Sequence, residues 1–401
     1  MVDSIFTNGL EGMKVVDADT HYSEPHDLWT SRVPASYRDR VPHVVPDGKG
    51  GECWVYNDGD LLYPRAGAGS VIRKDGTKQA LLDWDMQNDS MPIDKIHPGS
   101  YDVKARLEVM DNQHIWAHIM YPNLTGFGAH KLIQLEDQDL AMVIVKVYND
   151  AVAEMQVESG ERLFPMALIP FWNIDAAVEE MHRAHGMGLR GITTSSEPHS
   201  SGKLPDLTDH HWDPMFEAAA ELKMPVNFHV GASDFGIEAF NKGSWPGLAD
   251  VPRWVVGSVL IELHNSKVLA NLLAGDLLVR HPNVNFVSVE SGVGWMPYVL
   301  ERLEYQLLES SLDGREWGQP SPTELFRRQV HGCFWFEESG PGRMLDIIGF
   351  DNVMFESDFP HPTCLYPSPV EHALKVLEPW GPEATRKVMS ENAIRLYNLP
   401  F

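Results

Sequence analysis

The strongest constraint on this chain is a repeated pattern in which short apolar β-type runs end in a carboxylate or an imidazole. VVDADTHYSEP supplies Asp17, Asp19, His21 and Glu24, PVNFHVG supplies His229, NFVSVESGVGW supplies Glu290, and VMFESDFPHP supplies Asp358 and His361. A fifth and weaker segment, QVHGCFWFEE, carries His331 and Glu337. One acid at the tip of an apolar strand is common. Burying a carboxylate is costly unless it is paired or bound to a metal, so several such tips, spread from Asp19 to His361, imply that the strand ends converge on a shared cation.

Eight β-type runs are expected: Met13–Ala18, Ile115–Tyr121, Leu163–Ile169, Leu189–Thr194, Val226–Val230, Asn285–Glu290, Cys333–Phe336 and Val353–Ser357. Helical patterns separate them: Leu132–Glu158, Ile174–His185, Pro214–Lys223, Trp254–Arg280, Met296–Leu308, Pro341–Ile348 and Pro369–Leu377. Asn173 before Ile174 reads as an N-cap, and Asp213–Pro214 as a cap followed by proline in the first turn. This alternation predicts an α/β chain folded as a (β/α)8 TIM barrel with a long insertion after the first strand, one domain over 1–401. The alternative, an open doubly wound sheet, lacks a G-x-G-x-x-G after the first strand. In a barrel the active site lies at the carboxyl ends of the strands, where Asp19, His229, Glu290 and Asp358 fall. The stretch 22–114 is the insertion, rich in Gly, Pro and Asp, and a long excursion from that end usually covers the site. Gly231–Pro252 is a second candidate wall, and Trp29, Phe235, Trp245, Trp295 and Phe359 are candidate apolar lining.

Charge narrows the partners. With 57 acidic against 32 basic side chains the formal charge is −25, which repels nucleic acid and anionic lipid. The three cysteines, Cys53, Cys333 and Cys364, form no CxxC pair, which argues against a disulfide framework or a cysteine-based zinc site. No apolar run approaches the roughly 18–20 residues needed to span a bilayer. MVDSIFTNGLEGMK lacks a basic start followed by an apolar stretch. A cytoplasmic protein without membrane or nucleic-acid partners is expected.

Asp19 and His21 stand two apart and share one face of a strand, forming half of a metal site. His229 closes a run that is otherwise apolar, where a ligand and a hydrogen-bonded core histidine are both open readings. Glu290 is followed by Ser291–Gly292–Val293–Gly294, a loop whose glycines let backbone approach a ligand. The expected metal ligands are Asp19, His21, His229, Glu290 and Asp358. Asp358, Glu24 and His361 are the expected catalytic groups: Asp358 binding metal and taking a proton from bound water, Glu24 as base or ligand, His361 as outer donor or ligand.

Assembled, these residues resemble the amidohydrolase superfamily, in particular the amidohydrolase-2 branch that includes aminocarboxymuconate-semialdehyde decarboxylase. The resemblance runs from about Val15 to the closing ENAIRLYNL. It implies a distorted barrel, a divalent metal at the strand tips, and homo- or hetero-oligomers. His229 and Asp358 match the family's fifth- and eighth-strand ligands. Two positions depart: Asp19-Thr20-His21 stands where the family has His-x-His, and Glu290 where it has a sixth-strand His. This carboxylate-rich set is similar to the dinuclear non-haem oxygenase offshoot, such as 2-aminoisobutyric acid hydroxylase.

The resemblance implies, first, an oxygen-activating hydroxylase with two ions, Fe and/or Mn, fed electrons by a separate reductase or ferredoxin, since no flavin or cysteine-cluster motif is visible. The alternatives are a mononuclear hydrolase or non-oxidative decarboxylase of a small carboxylated substrate, with Zn if mononuclear, and a non-catalytic partner subunit of such an enzyme.

Overall fold

The structure is a computed structural model that describes residues 12–80, 91–310 and 320–400. Its strands, in chain order, are β1 (Val16–His21), β2 (His43–Pro46), β3 (Glu52–Tyr56), β4 (Asp60–Tyr63), β5 (Ala117–Tyr121), β6 (Leu163–Pro165), β7 (Ala167–Leu168), β8 (Ile192–Thr193), β9 (Val226–His229), β10 (Phe286–Val289), β11 (Val330–Phe334) and β12 (Val353–Phe355). The helices are α1 (Val103–Asn112), α2 (Gln138–Glu158), α3 (Ile174–Gly186), α4 (Asp213–Leu222), α5 (Asp250–Ala274), α6 (Leu277–Arg280), α7 (Met296–Glu309), α8 (Pro322–Gln329), α9 (Ser339–Ile348), α10 (Pro369–Leu377), α11 (Gly381–Arg386) and α12 (Asn392–Leu396).

Parallel ladders run β1–β5–β6 and β7–β8–β9–β10–β11–β12. β6 and β7 are halves of one run broken at Met166. The Met166 N–H donates to the Met120 carbonyl, whereas the Ala167 N–H donates to the Gly191 carbonyl, so this run passes its pairing from β5 to β8. The remaining edges meet just beyond β12. The Asp358 N–H donates to the Asp19 carbonyl (3.0 Å), and the His21 N–H to the Phe359 carbonyl (2.7 Å), with Thr20 facing Phe359 in a parallel bridge. The expected barrel is therefore distorted: a short bridge, not a full ladder, joins β12 to β1.

The helices start where their caps dictate. Asp137 accepts from the Leu140 N–H and starts α2, later than the expected Leu132, because 130–134 form a separate short turn of helix. Asn173 caps α3 as expected. Ser321 and Glu324 form a capping box on α8, a helix the periodicity did not show. The long pattern Trp254–Arg280 is two helices, broken at Gly275. Two strands were misplaced: β1 runs Val16–His21 rather than Met13–Ala18, which brings Asp19 and His21 inside it, and β11 begins at Val330, three residues before the expected Cys333. The earlier start takes His331 into the strand, at its amino end.

Of the insertion, β2, β3 and β4 form an antiparallel meander around buried Trp54, and α1 supplies the helix that leads into β5. The buried segment 66–72 runs against the loop after β12, with the Val71 N–H donating to the Pro360 carbonyl (3.0 Å).

Packing divides into a large cluster between strands and helices, a smaller inner one that includes Val16, Ala18, Ile119, Tyr121, Met166, Val287, Val289, Cys333 and Met354, and a third of Val71, Ile72, Val109, Phe359 and Cys364. Within the inner layer Asn227 of β9 donates to the Ile192 carbonyl (2.8 Å) and accepts from the hydroxyls of Tyr121 (3.0 Å) and Tyr397 (2.7 Å). All three side chains are fully buried. Replacing Asn227 with Ala removes the amide partner of the Ile192 carbonyl and of two hydroxyls, which keep only their 3.5 Å contact with each other; each group left unsatisfied costs about 1–3 kcal/mol. We expect a loss of roughly 3 kcal/mol or more by urea unfolding; a loss under roughly 1 kcal/mol would refute this knot as a structural centre.

Candidate metal centre

β1, β9, β10 and β12 each deliver side chains to one point beyond their carboxyl ends. Asp19 and His21 come from β1, whose pairing register shifts between Asp17 and Thr20, an irregularity of the kind that re-aims side chains. His229 is the last residue of β9. Glu290 and Asp358 follow β10 and β12, and both sit in the left-handed region, at φ 54° and 61°. Non-glycine residues held there carry strain, a feature that clusters at functional sites.

Asp19, His21, His229 and Glu290 form one set whose ligand atoms lie within 4.8 Å of one another, and His21, Glu290, Asp358 and His361 form another. His21 Nε2 is 3.6 Å from Asp19 Oδ1, 3.5 Å from Asp358 Oδ1, 3.7 Å from Glu290 Oε2 and 3.2 Å from His229 Nε2. His229 Nε2 is 3.6 Å from Asp19 Oδ1 and 3.2 Å from Glu290 Oε2. With metal–ligand bonds of about 2.0–2.2 Å, ligands on one ion stand about 3–4 Å apart. These separations match the edges of such a polyhedron. Asp19, His21, His229, Asp358 and His361 are buried, and Glu290 alone is partly exposed, so the centre opens beside Glu290.

Hydrogen bonding also fits a cation. The Nδ1 of His229 lies 2.9 Å from the Val230 carbonyl. Nδ1–H is therefore the donor, and Nε2 turns its lone pair inward. The Nε2–H of His361 donates to Asn123 Oδ1 (2.8 Å), leaving Nδ1 facing Asp358 Oδ1 at 3.0 Å. Both oxygens of Asp19, Oδ1 of Asp358 and Oε2 of Glu290 are buried without a hydrogen-bond partner. Thr363 donates to the other oxygen of Asp358.

Burial pushes Asp19 up, and it pushes Glu290 well up, aided by the charges of Asp358 and Asp19. Burial likewise drives the His21 imidazole well down, helped by His361 and His229. So many ionisable groups held out of water cannot all carry their usual charge by themselves; a divalent cation inverts that balance.

Beneath the ligands lies a second buried layer that sequence reasoning missed. Asp17 Oδ1 accepts from the Ser357 N–H (2.9 Å), tying β1 to the segment that carries Asp358. Arg106, buried in α1, donates to the His21 carbonyl and lies over the Phe359 ring at 4.6 Å. Glu356 accepts from the Glu290 N–H (3.1 Å). Burial raises Asp17 to about 8 and lowers Arg106 to about 9. Phe127, also unforeseen, packs its ring 4.1 Å from His229 and 5.0 Å from His21. Only Asp17 and Glu356 carried a signal, as extra acids within the strand-tip motifs; Arg106, Asn123 and Phe127 lie in segments with no ligand pattern.

The other expected residues fall elsewhere. Glu24 belongs to neither ligand set; its Oε1 accepts from the Asn123 and Leu124 N–H groups (2.9 and 3.2 Å), and burial lifts it to about 7. Asn123 thus joins Glu24 to His361. Glu337 accepts from the Val293 and Gly294 N–H groups (2.9 and 2.7 Å), and a Cβ at Gly292, whose φ is +69°, would meet its carboxylate at 2.7 Å. Its role there is to hold the loop after Glu290. His331 points to the opposite end of the barrel. Trp29 is core, donating to the Ile144 carbonyl (3.0 Å).

Comparison with known proteins identifies the family. The amidohydrolase family model matches residues 105–399, and the chain belongs to that family. It is similar to the gamma-resorcylate decarboxylase of a Rhizobium species, at 24% identity over 309 residues, 74% of this chain and 86% of that protein. Among solved structures it is similar to an amidohydrolase from Mycobacterium avium subsp. paratuberculosis (TM-score 0.74, 24% identity, 96% of this chain and 99% of that one). It is also similar to a manganese-bound 5-carboxyvanillate decarboxylase from Novosphingobium aromaticivorans (TM-score 0.63, 17% identity, 98% and 99%).

The raised acids set a pH dependence. Asp17 and Glu24, lifted to about 8 and about 7, keep protons in the folded state that the unfolded chain has lost. Buried imidazoles such as His21 act in the opposite sense below about pH 6.5, so the stability of the metal-free protein falls above that range, as pH rises toward 8. Metal requires deprotonated ligands and so binds better at higher pH. We expect metal-stripped protein to melt lower at pH 8 than at pH 6, and saturating Mn2+ to raise the midpoint more at pH 8. The opposite ordering in both conditions would contradict the charge assignment.

Proposed function

We propose that this chain is a metal-dependent enzyme that removes a carboxyl group as CO2, without oxidant, from a small substrate. The carrying observation is the convergence of Asp19, His21, His229, Glu290 and Asp358 at separations suited to one cation. The decarboxylase relatives support the reaction class. The site draws on residues from Asp19 to His361, so the chain acts as a single catalytic unit. This reading replaces the oxygen-activating one as the first choice, because those relatives are decarboxylases.

The four fully buried ligands, Asp19, His21, His229 and Asp358, would hold the ion, with Glu290 at its open side. Carboxylates mixed with imidazoles suit manganese or iron as well as zinc. When bound, the ion supplies Lewis acidity that anchors an anionic substrate and draws charge from the reacting carbon. The rest falls to the protein. In the reaction the bond between carbon and carboxylate breaks, its electron pair stays on carbon, carbon gains a proton, and CO2 leaves. Asp358, 3.0 Å from His361 Nδ1 and fixed by Thr363, is placed to deliver that proton, with His361 sharing it. Asn123 holds His361 in the required tautomer. Glu24 fixes Asn123 through its backbone and acts as a positioning residue. Phe127 excludes water from the histidine face.

A second reading rests on one specific observation: the two ligand sets overlap at His21 and Glu290. Glu290, standing where the resemblance expects a histidine, could bridge two ions and favour oxygen chemistry driven by an external reductase or ferredoxin. Metal analysis separates the two. The first reading expects about one ion per chain and release of CO2 from 2,6-dihydroxybenzoate or a related hydroxybenzoate under argon as fast as in air. Two ions per chain, with substrate turnover only when oxygen and a reductant are present, would reverse the choice. Asp358→Asn should weaken Mn2+ binding beyond the roughly 10–100-fold expected for loss of an outer partner and abolish turnover; normal turnover in this variant would exclude Asp358 from both roles.

A further inference from the structure

His331 was expected near the metal, and its displacement exposes a second feature of the molecule. It stands at the second position of β11, at the amino end of the strand, in the wall of a cavity of about 700 Å3. The cavity is also lined by Pro225 and Asn285, which directly precede β9 and β10, and by Asn352, which precedes β12. It therefore opens at the end of the barrel opposite the metal centre. The neighbouring helix ends contribute cations: Lys223 after α4, Arg327 and Arg328 in the last turn of α8, and Arg395 in the last turn of α12. The chain has only 32 basic side chains against 57 acidic ones, yet four of them meet here.

Cations at helix C-termini offset the helix dipole, and part of each guanidinium does that work. Arg327 donates to the Ile347 carbonyl (2.8 Å), Arg328 to the Leu278 carbonyl (2.7 Å) and Arg395 to the Asp351 carbonyl (2.9 Å). Carbonyl contacts do not neutralise charge. Among the described residues no carboxylate forms an ion pair with Lys223, Arg327, Arg328 or Arg395. Asp351, the acid in the wall, is instead paired with Lys387 at 2.9 Å. His331 supplies the second observation. Its residue is only 6% exposed, its Nε2 makes a long contact with Asn285 Oδ1 (3.4 Å), and its Nδ1 has no partner. A buried imidazole nitrogen left unsatisfied beside unpaired cations calls for a ligand atom.

We propose that this cavity is a binding site for a small oxyanion, a phosphate- or carboxylate-bearing molecule, at the barrel end remote from the metal. Four positive groups in a concave wall focus the field on an anion, and guanidinium forks match phosphate and carboxylate oxygens. His331 in its Nδ1–H tautomer donates to the ligand, with the Asn285 amide turned to donate to Nε2. Nucleic acid is excluded by the charge of the rest of the surface. The proposal uses none of the residues assigned to the metal centre, so it stands or falls apart from the decarboxylase reading.

The test is binding of inorganic phosphate and of succinate to the full chain, followed by the unfolding midpoint and, for phosphate, by 31P line broadening, with KCl at matched ionic strength as control. One or both anions should raise the midpoint where KCl does not, and which one does so identifies the ligand class. Arg395→Gln should weaken binding about tenfold, the loss of one charge-assisted contact. Lys223→Gln, at an exposed helix end that tolerates substitution, should weaken it in the same direction even if the arginine variant folds poorly. The proposal is overturned if KCl reproduces the stabilisation, if neither anion binds, or if both variants respond as the parent does.

Discussion

Everything in this molecule is arranged around one electrostatic problem: carboxylates and imidazoles drawn from distant parts of the chain are held together out of water. Burial, reinforced by neighbouring like charges, pushes Asp19 and Glu290 up and His21 down. Without a cation both oxygens of Asp19, Oδ1 of Asp358 and Oε2 of Glu290 lack partners, and leaving buried polar groups unpaired costs on the order of 1–3 kcal/mol each, more when charged. A divalent ion resolves the conflict in one step.

The fold supplies the rigidity that keeps the problem in place. The junction of β12 and β1, where an ideal barrel would carry a full ladder, is held by the hydrogen bonds of Asp358, His21 and Asp17. The weakest seam in the ring and the ligand set are therefore one structure. Arg106 ties α1 to both sides of that seam through the His21 carbonyl and the Phe359 ring. Local strain at Glu290 and Asp358 is sustained by this surrounding packing, as expected where geometry serves chemistry.

The sequence made the strand tips legible because a carboxylate or imidazole ending an apolar run contradicts the cost of burial, and a shared cation is the simplest resolution. It therefore singled out Asp19, His21, His229, Glu290 and Asp358, which the fold brings together, and His361, which stands beside them. It failed where register decides. QVHGCFWFEE was grouped with the strand tips, but His331 stands at the second position of β11, at the amino end and away from the site. It also failed for side chains whose role is to support others. Asn123 and Arg106 lie in segments of ordinary composition, and only the folded contacts reveal that one orients His361 and the other holds the His21 backbone. The insertion after β1 was recognised as an excursion, but its meander and α1 were not separated, since Gly- and Pro-rich sequence hides short antiparallel pairing.

The central claim is that these ligands hold a cation. Titrating Mn2+ into the metal-stripped protein while following the free-ion electron paramagnetic resonance signal tests it most directly. The account predicts that the six-line signal stays suppressed until at least one equivalent has been added, and that His229→Ala removes the suppression. A free-ion signal that grows from the first addition, with wild type and variant alike, would contradict it.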